Sequence, residues 1–381
     1  MRHDCFDMGG TFRARSVEDT LDWIKPKLSA LGITRTAHIT GLDDIGLSVV
    51  ICMRPMAKHL SVSQGKGISE KHAEVSAIME SVEVFHIENP PKVDLIGNIE
   101  VLSDNHSLAS LSEFLPGVFS WSAQENNISR WIKAKELNTD KIIFIPHGLV
   151  NLDSTQIRKD FALFHISTNG LAAGNNLEEA LCHALYEVIE RHSLTIWAAL
   201  PACQAAQTLL DLASISDEIN LRLLDDLTRH WPIKVWEITS EIGIPTYHAA
   251  LFSQDKIRSI VTGTGTHLSK KIALSRALTE VAQARLAIIS GSRDDVLPSY
   301  YDDIKHGVLL KHSFQKGMRQ YTHCRDFPIQ QSMKLNRQLI LDLLSKCGYQ
   351  KAYMVDHTKK GLDIPVVQVF VPGLEFNQTR M

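Results

Sequence analysis

The chain has 381 residues, of which 44% are hydrophobic and 22% are charged, and its formal net charge is −3. This composition predicts a globular protein with room for two domains or one duplicated unit, and it argues against nucleic acid as the main partner. No apolar run is long enough to span a membrane, the six cysteines form no paired motif, and no complete Walker A or GxGxxG motif is present. We therefore expect a cytoplasmic protein with free thiols and no P-loop.

The first predicted elements are a helix, a hairpin and a second helix. Residues 16–31, "SVEDTLDWIKPKLSAL", form an amphipathic pattern with Ser16 as N-cap and a kink near Pro26. Residues 34–55 predict strand, turn and strand. A loop rich in serine and glycine then leads to a helix within residues 65–88.

The same order recurs in the second half of the chain. Residues 235–252, "VWEITSEIGIPTYHAALF", mirror the first hairpin, and residues 265–285 match residues 65–85 at an offset of 200. Self-similarity over two consecutive elements predicts an internally duplicated α/β (α+β) fold. We place its halves at residues 1–160 and 161–381.

Three predicted helices carry one polar stripe each on an otherwise apolar surface. At about 100° per residue, positions i, i+4 and i+7 fall within a sector of about 60°. On the helix at residues 175–191 the stripe extends back to Glu179 and Asn175. The three stripes are Ser76/Glu80/Glu83, His183/Glu187/Glu190 and Arg276/Glu280/Gln283.

Clustered carboxylates need protons or cations to balance their charge. Two carboxylates 4 Å apart repel by about 4 kcal/mol at an effective dielectric constant of 20. Oxygen ligands suit magnesium or manganese rather than zinc, and protein-bound Mg²⁺ usually contacts substrate phosphates as well. The stripes therefore predict an Mg²⁺–nucleotide site, with Arg191, Arg276 and Arg285 as candidate phosphate ligands. Arg285 lies about 140° off the stripe of Glu280, so a structural role stays open for it, and an acidic protein–protein interface is the alternative for the stripes.

Five segments together resemble the YcaO superfamily of ATP-dependent peptide-backbone-modifying enzymes. They are "RARSVEDT", "SVSQGKG", "SAIMESVE", "STNGLAAGNNLEEALCHALYEVIER" and "RALTEVAQARL". The likeness runs from about residue 13 to "VPGLE" at 371–375. It implies a YcaO-type fold in which β-sheets pack against helices that line a central nucleotide site, with ATP and Mg²⁺ as cofactors.

The resemblance also implies roles for individual residues. Glu187, Glu190 and Arg285 are expected to be catalytic. Four residues also have a structural alternative. Ser16 and Asn175 could be helix caps, Lys66 an exposed loop residue and His183 a packing residue. The implied Mg²⁺ ligands are Glu80, Glu83, Glu179, Glu187 and Glu190. The implied nucleotide contacts are these five glutamates with Arg15, Ser16, Lys66, Ser76, Asn175, Arg191, Glu280, Gln283 and Arg285.

The implied reaction is transfer of the γ-phosphoryl group of ATP to a backbone amide oxygen, followed by nucleophilic attack on the carbon. The chain shows no PxPxP tail, and "GSRDD" at 291–295 resembles members that act beside a TfuA-type partner. These features favour thioamide formation over azoline formation, and the intact set of glutamates argues against an inactive ATP-binding scaffold. We expect no leader-recognition module before Arg13, so that either a separate partner recognises the leader or substrate, or the substrate is bound directly. We further expect a homodimer that contacts neither nucleic acid nor membrane.

Overall fold

The computed structural model describes residues 6–7, 10–114, 130–155, 167–253, 260–293, 295 and 316–376. The fold is α+β, with helices packed against mostly antiparallel sheets. None of its described helices combines the length and apolar character needed to cross a membrane. The helices are α1 (Val17–Ile24), α2 (Glu70–Glu88), α3 (Ile99–Leu102), α4 (Leu177–Ala198), α5 (Ala202–Gln207), α6 (Glu218–Thr228), α7 (Lys270–Ser290) and α8 (Met333–Lys346).

The strands of the described ranges assemble into two three-stranded sheets, one six-stranded sheet and two short pairs. The three-stranded sheets are ordered β3-β4-β5 and β11-β12-β13, the six-stranded sheet is β6-β7-β15-β16-β9 with β8 on β7, and the pairs are β1-β2 and β10-β14. The strands are β1 (Phe6–Asp7), β2 (Phe12–Arg13), β3 (Arg35–His38), β4 (Ser48–Met53), β5 (Val62–Gly67), β6 (Leu95–Ile96), β7 (Arg130–Glu136), β8 (Ile142–Pro146), β9 (Leu171–Ala173), β10 (Leu210–Asp211), β11 (Ile233–Glu237), β12 (Thr246–Phe252), β13 (Ile260–Thr266), β14 (Arg319–Gln320), β15 (Tyr353–Asp356) and β16 (Val366–Phe370).

The duplication predicted from the sequence is confirmed, because each three-stranded antiparallel sheet is followed by a long helix that packs on it. Gly65 on β5 and Gly265 on β13 occupy equivalent contacts. A Cβ added at either glycine would lie 2.2 Å from a carbonyl oxygen, that of Ala73 on α2 or that of Ala273 on α7. Only glycine allows a helix to lie this close to a strand, so the sequence match reports a shared packing geometry.

Local details both confirm and correct the sequence-based predictions. Ser16 caps α1, since its Oγ accepts a hydrogen bond from the backbone N–H of Asp19 at 3.0 Å. The predicted loop before α2 is wrong in part, because residues 62–67 form strand β5. The cap of α4 is Asn176 rather than Asn175. The side chain of Asn175 is thereby left free for other partners.

Helix α4 joins the second repeat to the six-stranded sheet. It packs on β9 and β16, on α8 and on β13 of the second repeat. Strands from both predicted halves, 1–160 and 161–381, share the six-stranded sheet, since β7 pairs with β15. The division into these halves stays a prediction.

Candidate nucleotide site

A cavity of about 600 Å³ lies between α2, α4 and α7. The carboxylates of all three polar stripes face this one space, as the helical spacing predicts. Strands β5 and β9, the segment 10–20 and residues near His59, Thr168 and Arg293 also line it. The predicted site residues on its lining are Lys66, Ser76, Glu80, Glu83, Asn175, Glu179, Glu187, Glu190, Arg191, Glu280 and Gln283.

Three predicted residues lie outside the cavity lining. Arg15 stacks on the ring of Trp23, with its guanidinium carbon 4.4 Å from the ring centroid. Ser16 is occupied as the helix cap. The Nε of Arg285 donates to Asp43 at 2.8 Å, and both side chains are buried. The structure thus supports the structural alternatives for Ser16 and Arg285 and gives neither residue a position in the cavity.

The segment before α1 and helix α1 itself each supply one cavity residue that the sequence analysis missed. The first is Arg13, which donates to Glu179 at 3.3 Å and also contacts His183. The second is Thr20, whose hydroxyl donates to Asn175 at 2.9 Å. Thr20 falls on the apolar face of α1, and a buried hydroxyl there needs a partner, which is the signal that could have found it.

Glu179 is held entirely by donors of the protein. One of its oxygens accepts from the backbone N–H of Ala14 at 2.8 Å, and Asn175 donates to both oxygens at 3.2 Å. With Arg13, these contacts fasten the N-terminal segment to the start of α4. The role of Glu179 as an Mg²⁺ ligand stays a prediction.

Four other cavity carboxylates, Glu80 and Glu83 on α2 and Glu187 and Glu190 on α4, are costly to ionise. Burial raises the pKa of Glu83 well above its usual range, and the charges of Glu187 and Glu80 add to the rise. Burial likewise raises the pKa of Glu187 to about 7, where Arg191, 3.8 Å away, opposes the rise. The pKa of Glu190 rises for the same reason, reinforced by Glu280. The ionised forms of these carboxyl groups are therefore forms that an added cation would stabilise.

Glu280 is the exception among these glutamates. Burial alone would raise its pKa, but an ion pair with Lys66 and the nearby charges of Arg191 and Arg276 outweigh that effect and lower it. Gln283, one turn further along α7, donates to the backbone oxygen of Gln64 at 2.8 Å. The carboxylate that the second repeat brings to the cavity is thus balanced by cations, whereas the pKa values of the carboxylates on α2 and α4 in the cavity stay raised.

Comparison with known proteins identifies the fold. The family model described as the ATP- and Mg²⁺-binding YcaO cyclodehydratase matches residues 64–375. The chain belongs to the YcaO family. An uncharacterized protein of Methanothermobacter thermautotrophicus is 32% identical over 371 residues, covering 94% of this chain and 93% of the relative.

Two further comparisons extend this result. A Rhizobium leguminosarum bv. trifolii protein described as lying in the tfuA 3′ region is 30% identical over 382 residues, covering 95% of this chain and 88% of the relative. The structure of YcaO from Methanopyrus kandleri bound with AMPPCP and Mg²⁺ superposes with a TM-score of 0.78 at 23% identity. It covers 98% of this chain and 95% of the other. The description of the YcaO family names ATP and Mg²⁺ as its ligands.

The residues present fit both ligands of the YcaO family. Among the residues that the structure describes, no three acidic, histidine or cysteine side chains converge closely enough to hold a metal ion by themselves. Mg²⁺ is usually held by one or two carboxylates together with waters and substrate phosphates. The Nε of Arg276 is buried and has no hydrogen-bond partner within the described ranges. A bound phosphate would satisfy this donor and complete the coordination of Mg²⁺.

We predict that Glu187→Gln stabilises the ligand-free YcaO protein at pH 8. A folded-state pKa of about 7 lies above the unfolded value, so the stability from this group is full below pH 4.5 and is lost as the pH rises through 7. Glutamine avoids the charge, and we expect a gain of about 3 kcal/mol at pH 8, with none at pH 4. Denaturant unfolding at the two pH values measures it.

The matched control is Glu178→Gln on the same helix. Glu178 pairs with Arg337 at 2.7 Å and does not line the cavity, so its substitution should bring no gain at pH 8. An equal gain in both variants, or a gain for Glu187→Gln at pH 4 as well, would contradict the explanation from buried charge.

Proposed function

We propose that this YcaO protein uses ATP to activate a backbone amide of a peptide or protein by O-phosphorylation. The observation that carries the proposal is the convergence of glutamates with raised pKa values on one cavity, together with the buried Nε of Arg276, which has no hydrogen-bond partner among the described residues. Such a site favours a ligand that brings cations and phosphates together. The description of the family as an ATP- and Mg²⁺-binding cyclodehydratase supports the same reading.

In this proposal the cavity residues divide by charge. Arg276, Arg191 and Lys66 bind phosphate oxygens, and arginine suits them because its planar fork matches the phosphate geometry. Bound Mg²⁺ would neutralise the charge that develops on the transferring phosphoryl group. The side chains that would hold it are Glu80, Glu83, Glu187 and Glu190. Arg285 has no role in this proposed reaction, because it pairs with Asp43 outside the cavity lining.

The balance of the reaction explains why no covalent nucleophile is needed from the protein. The amide oxygen attacks the γ-phosphorus, a P–O bond forms and the bond to ADP breaks. The nucleophile then attacks the former carbonyl carbon, and the C–O bond breaks as phosphate leaves with the amide oxygen. The protein contributes position and electrostatic stabilisation, which dominate phosphoryl transfer.

We propose a sulfide equivalent as the nucleophile and a TfuA-type protein as the partner. A relative that matches 95% of this chain is described by its position in the tfuA 3′ region, which supports this choice over azoline formation. Part of the "GSRDD" segment, at residue 294, lies outside the described residues. The homodimer and the cytoplasmic location remain predictions.

Mass spectrometry of peptides tests the proposed reaction. The purified protein is incubated with a TfuA-type protein, Mg²⁺, ATP, sulfide and a peptide library. We expect ADP, phosphate and peptides in which sulfur replaces one oxygen, and none of these products from Glu187→Gln. Loss of one water from cysteine- or serine-containing peptides would instead indicate azoline formation. If the wild-type protein consumes no ATP in this incubation, the result contradicts amide activation.

A further inference from the structure

The last described residues of the chain form a defined turn against α4. We call residues 371–376 the C-terminal turn. The backbone N–H of Leu374 donates to the oxygen of Val371 at 3.2 Å. Gly373 within it has a φ of +92°, a conformation that favours glycine, and the ring of Tyr349 lies 3.3 Å from where its Cβ would be. The conformation and the packing agree, so the turn has one preferred place.

His192 fastens the C-terminal turn to α4. Its side chain is 2% exposed, and its Nδ1 accepts a hydrogen bond from the backbone N–H of Glu375 at 2.9 Å. Its Nε2 lies 3.0 Å from a carboxylate oxygen of Glu241. Because Nδ1 accepts, the proton of the neutral ring is assigned to Nε2, which donates to Glu241. One imidazole therefore joins the C-terminal turn to the hairpin of the second repeat.

A second donor sets the orientation of Glu241. The hydroxyl of Tyr349 donates to the same carboxylate oxygen at 2.6 Å. Burial would raise the pKa of Glu241, but the hydrogen bonds from Tyr349 and His192 outweigh that effect and lower it. Glu241 is thus an ionised acceptor for two donors, and charge-assisted hydrogen bonds of this kind are stronger than neutral ones.

The C-terminal turn leads back to the cavity through Arg191, the neighbour of His192 on α4. Arg191 lines the cavity, with its guanidinium 3.8 Å from Glu187. On its other side the guanidinium carbon lies 5.9 Å from the centroid of the Phe376 ring. Fixing an arginine side chain costs rotamer entropy, and a cation–π contact together with an ion pair offsets part of that cost.

We propose that His192 is a positioning residue that acts on the cavity through the C-terminal turn. By holding Glu375 it places Phe376 against Arg191, and so directs this guanidinium towards the phosphate oxygens of a nucleoside triphosphate. The identity of that ligand rests on the proposed function. The chain of contacts from Glu241 to Arg191 does not depend on the proposed function. The fastening of the turn and its effect on nucleotide binding are therefore tested in separate experiments.

Amide hydrogen exchange tests the fastening in the ligand-free protein. Exchange of the peptide that covers residues 371–376 is compared in the wild type, His192→Ala and Cys347→Ala. We expect exchange about tenfold faster in His192→Ala only, because local opening follows the loss of a specific hydrogen bond. Cys347 is the matched control, since its sulfur contacts the backbone oxygen of Glu241 rather than the carboxylate. Unchanged exchange in His192→Ala would overturn the proposal.

A double-mutant cycle on Mg²⁺·ATP binding tests the action through Arg191. We expect Arg191→Ala, His192→Ala and the double variant each to weaken binding by about tenfold, because both substitutions remove the same oriented guanidinium. Phe376→Leu keeps an apolar side chain at this half-buried position and should weaken binding in the same direction without loss of fold.

Two results would overturn the proposal. The first is a double variant that is about a hundredfold weaker, the product of two independent effects. The second is wild-type binding in His192→Ala and Phe376→Leu. A wild-type protein that binds no Mg²⁺·ATP contradicts the proposed function instead, and the exchange experiment then decides alone whether His192 fastens the turn.

Discussion

Loss of Mg²⁺-dependent ATP binding in Glu80→Gln and in Glu187→Gln is the largest effect that the structure predicts. Each substitution keeps the size of the side chain and removes one negative charge from the cavity. A unit charge 4 Å from a cation contributes about 4 kcal/mol at an effective dielectric constant of 20, so we expect affinity to fall at least about a hundredfold. Calorimetry of ATP binding with and without Mg²⁺ measures the change.

The control for this experiment is again Glu178→Gln, which removes a charge from α4 outside the cavity. It should bind Mg²⁺·ATP as the wild type does. Binding that is independent of Mg²⁺, or that persists in both cavity variants, would contradict the assignment of the three stripes to one nucleotide site. The same Glu187→Gln protein is expected to be more stable without ligand, and stability gained with function lost is typical of a binding site under electrostatic strain.

The second large effect is loss of stability in Arg285→Met with nucleotide binding preserved. Asp43 and Arg285 form a buried ion pair between the first hairpin and α7, and the guanidinium also lies 5.3 Å from the centroid of the Trp231 ring. Removing one partner leaves a buried charge without compensation, which costs about 3–5 kcal/mol. Denaturant unfolding should show this loss, while the affinity for Mg²⁺·ATP stays within about twofold.

Two companion variants test whether the loss of stability comes from a buried charge left without its partner. Arg222→Met breaks an exposed pair with Glu218 and should change stability little, since exposed pairs contribute little. Asp43→Asn in the Arg285→Met background should recover part of the loss, because the uncompensated carboxylate is then removed. Weakened Mg²⁺·ATP binding in Arg285→Met with unchanged stability would restore Arg285 to the site that the family resemblance implies.

In residues 13–20 the sequence analysis and the structure select different residues as cavity contacts. The motif "RARSVEDT" indicated a nucleotide contact near Arg15 and Ser16, but the structure turns Arg13 and Thr20 into the cavity instead. The helical spacing of α1 did place Thr20 on the buried face, among the apolar residues of that helix. The capping motif at Ser16 was the stronger local signal, so the sequence analysis selected Ser16 and overlooked Thr20.

Periodicity in the sequence by itself determined the duplicated sheet–helix unit and the three carboxylate stripes, because helical spacing and the glycines that permit close packing are local properties of the chain. The tertiary structure alone decided which charges are balanced. Lys66 reaches Glu280 across more than two hundred residues of sequence, and Arg285 turns away to Asp43. Such pairings depend on how separate elements pack, and the free energy of a buried charge is set by neighbours that are distant in the chain.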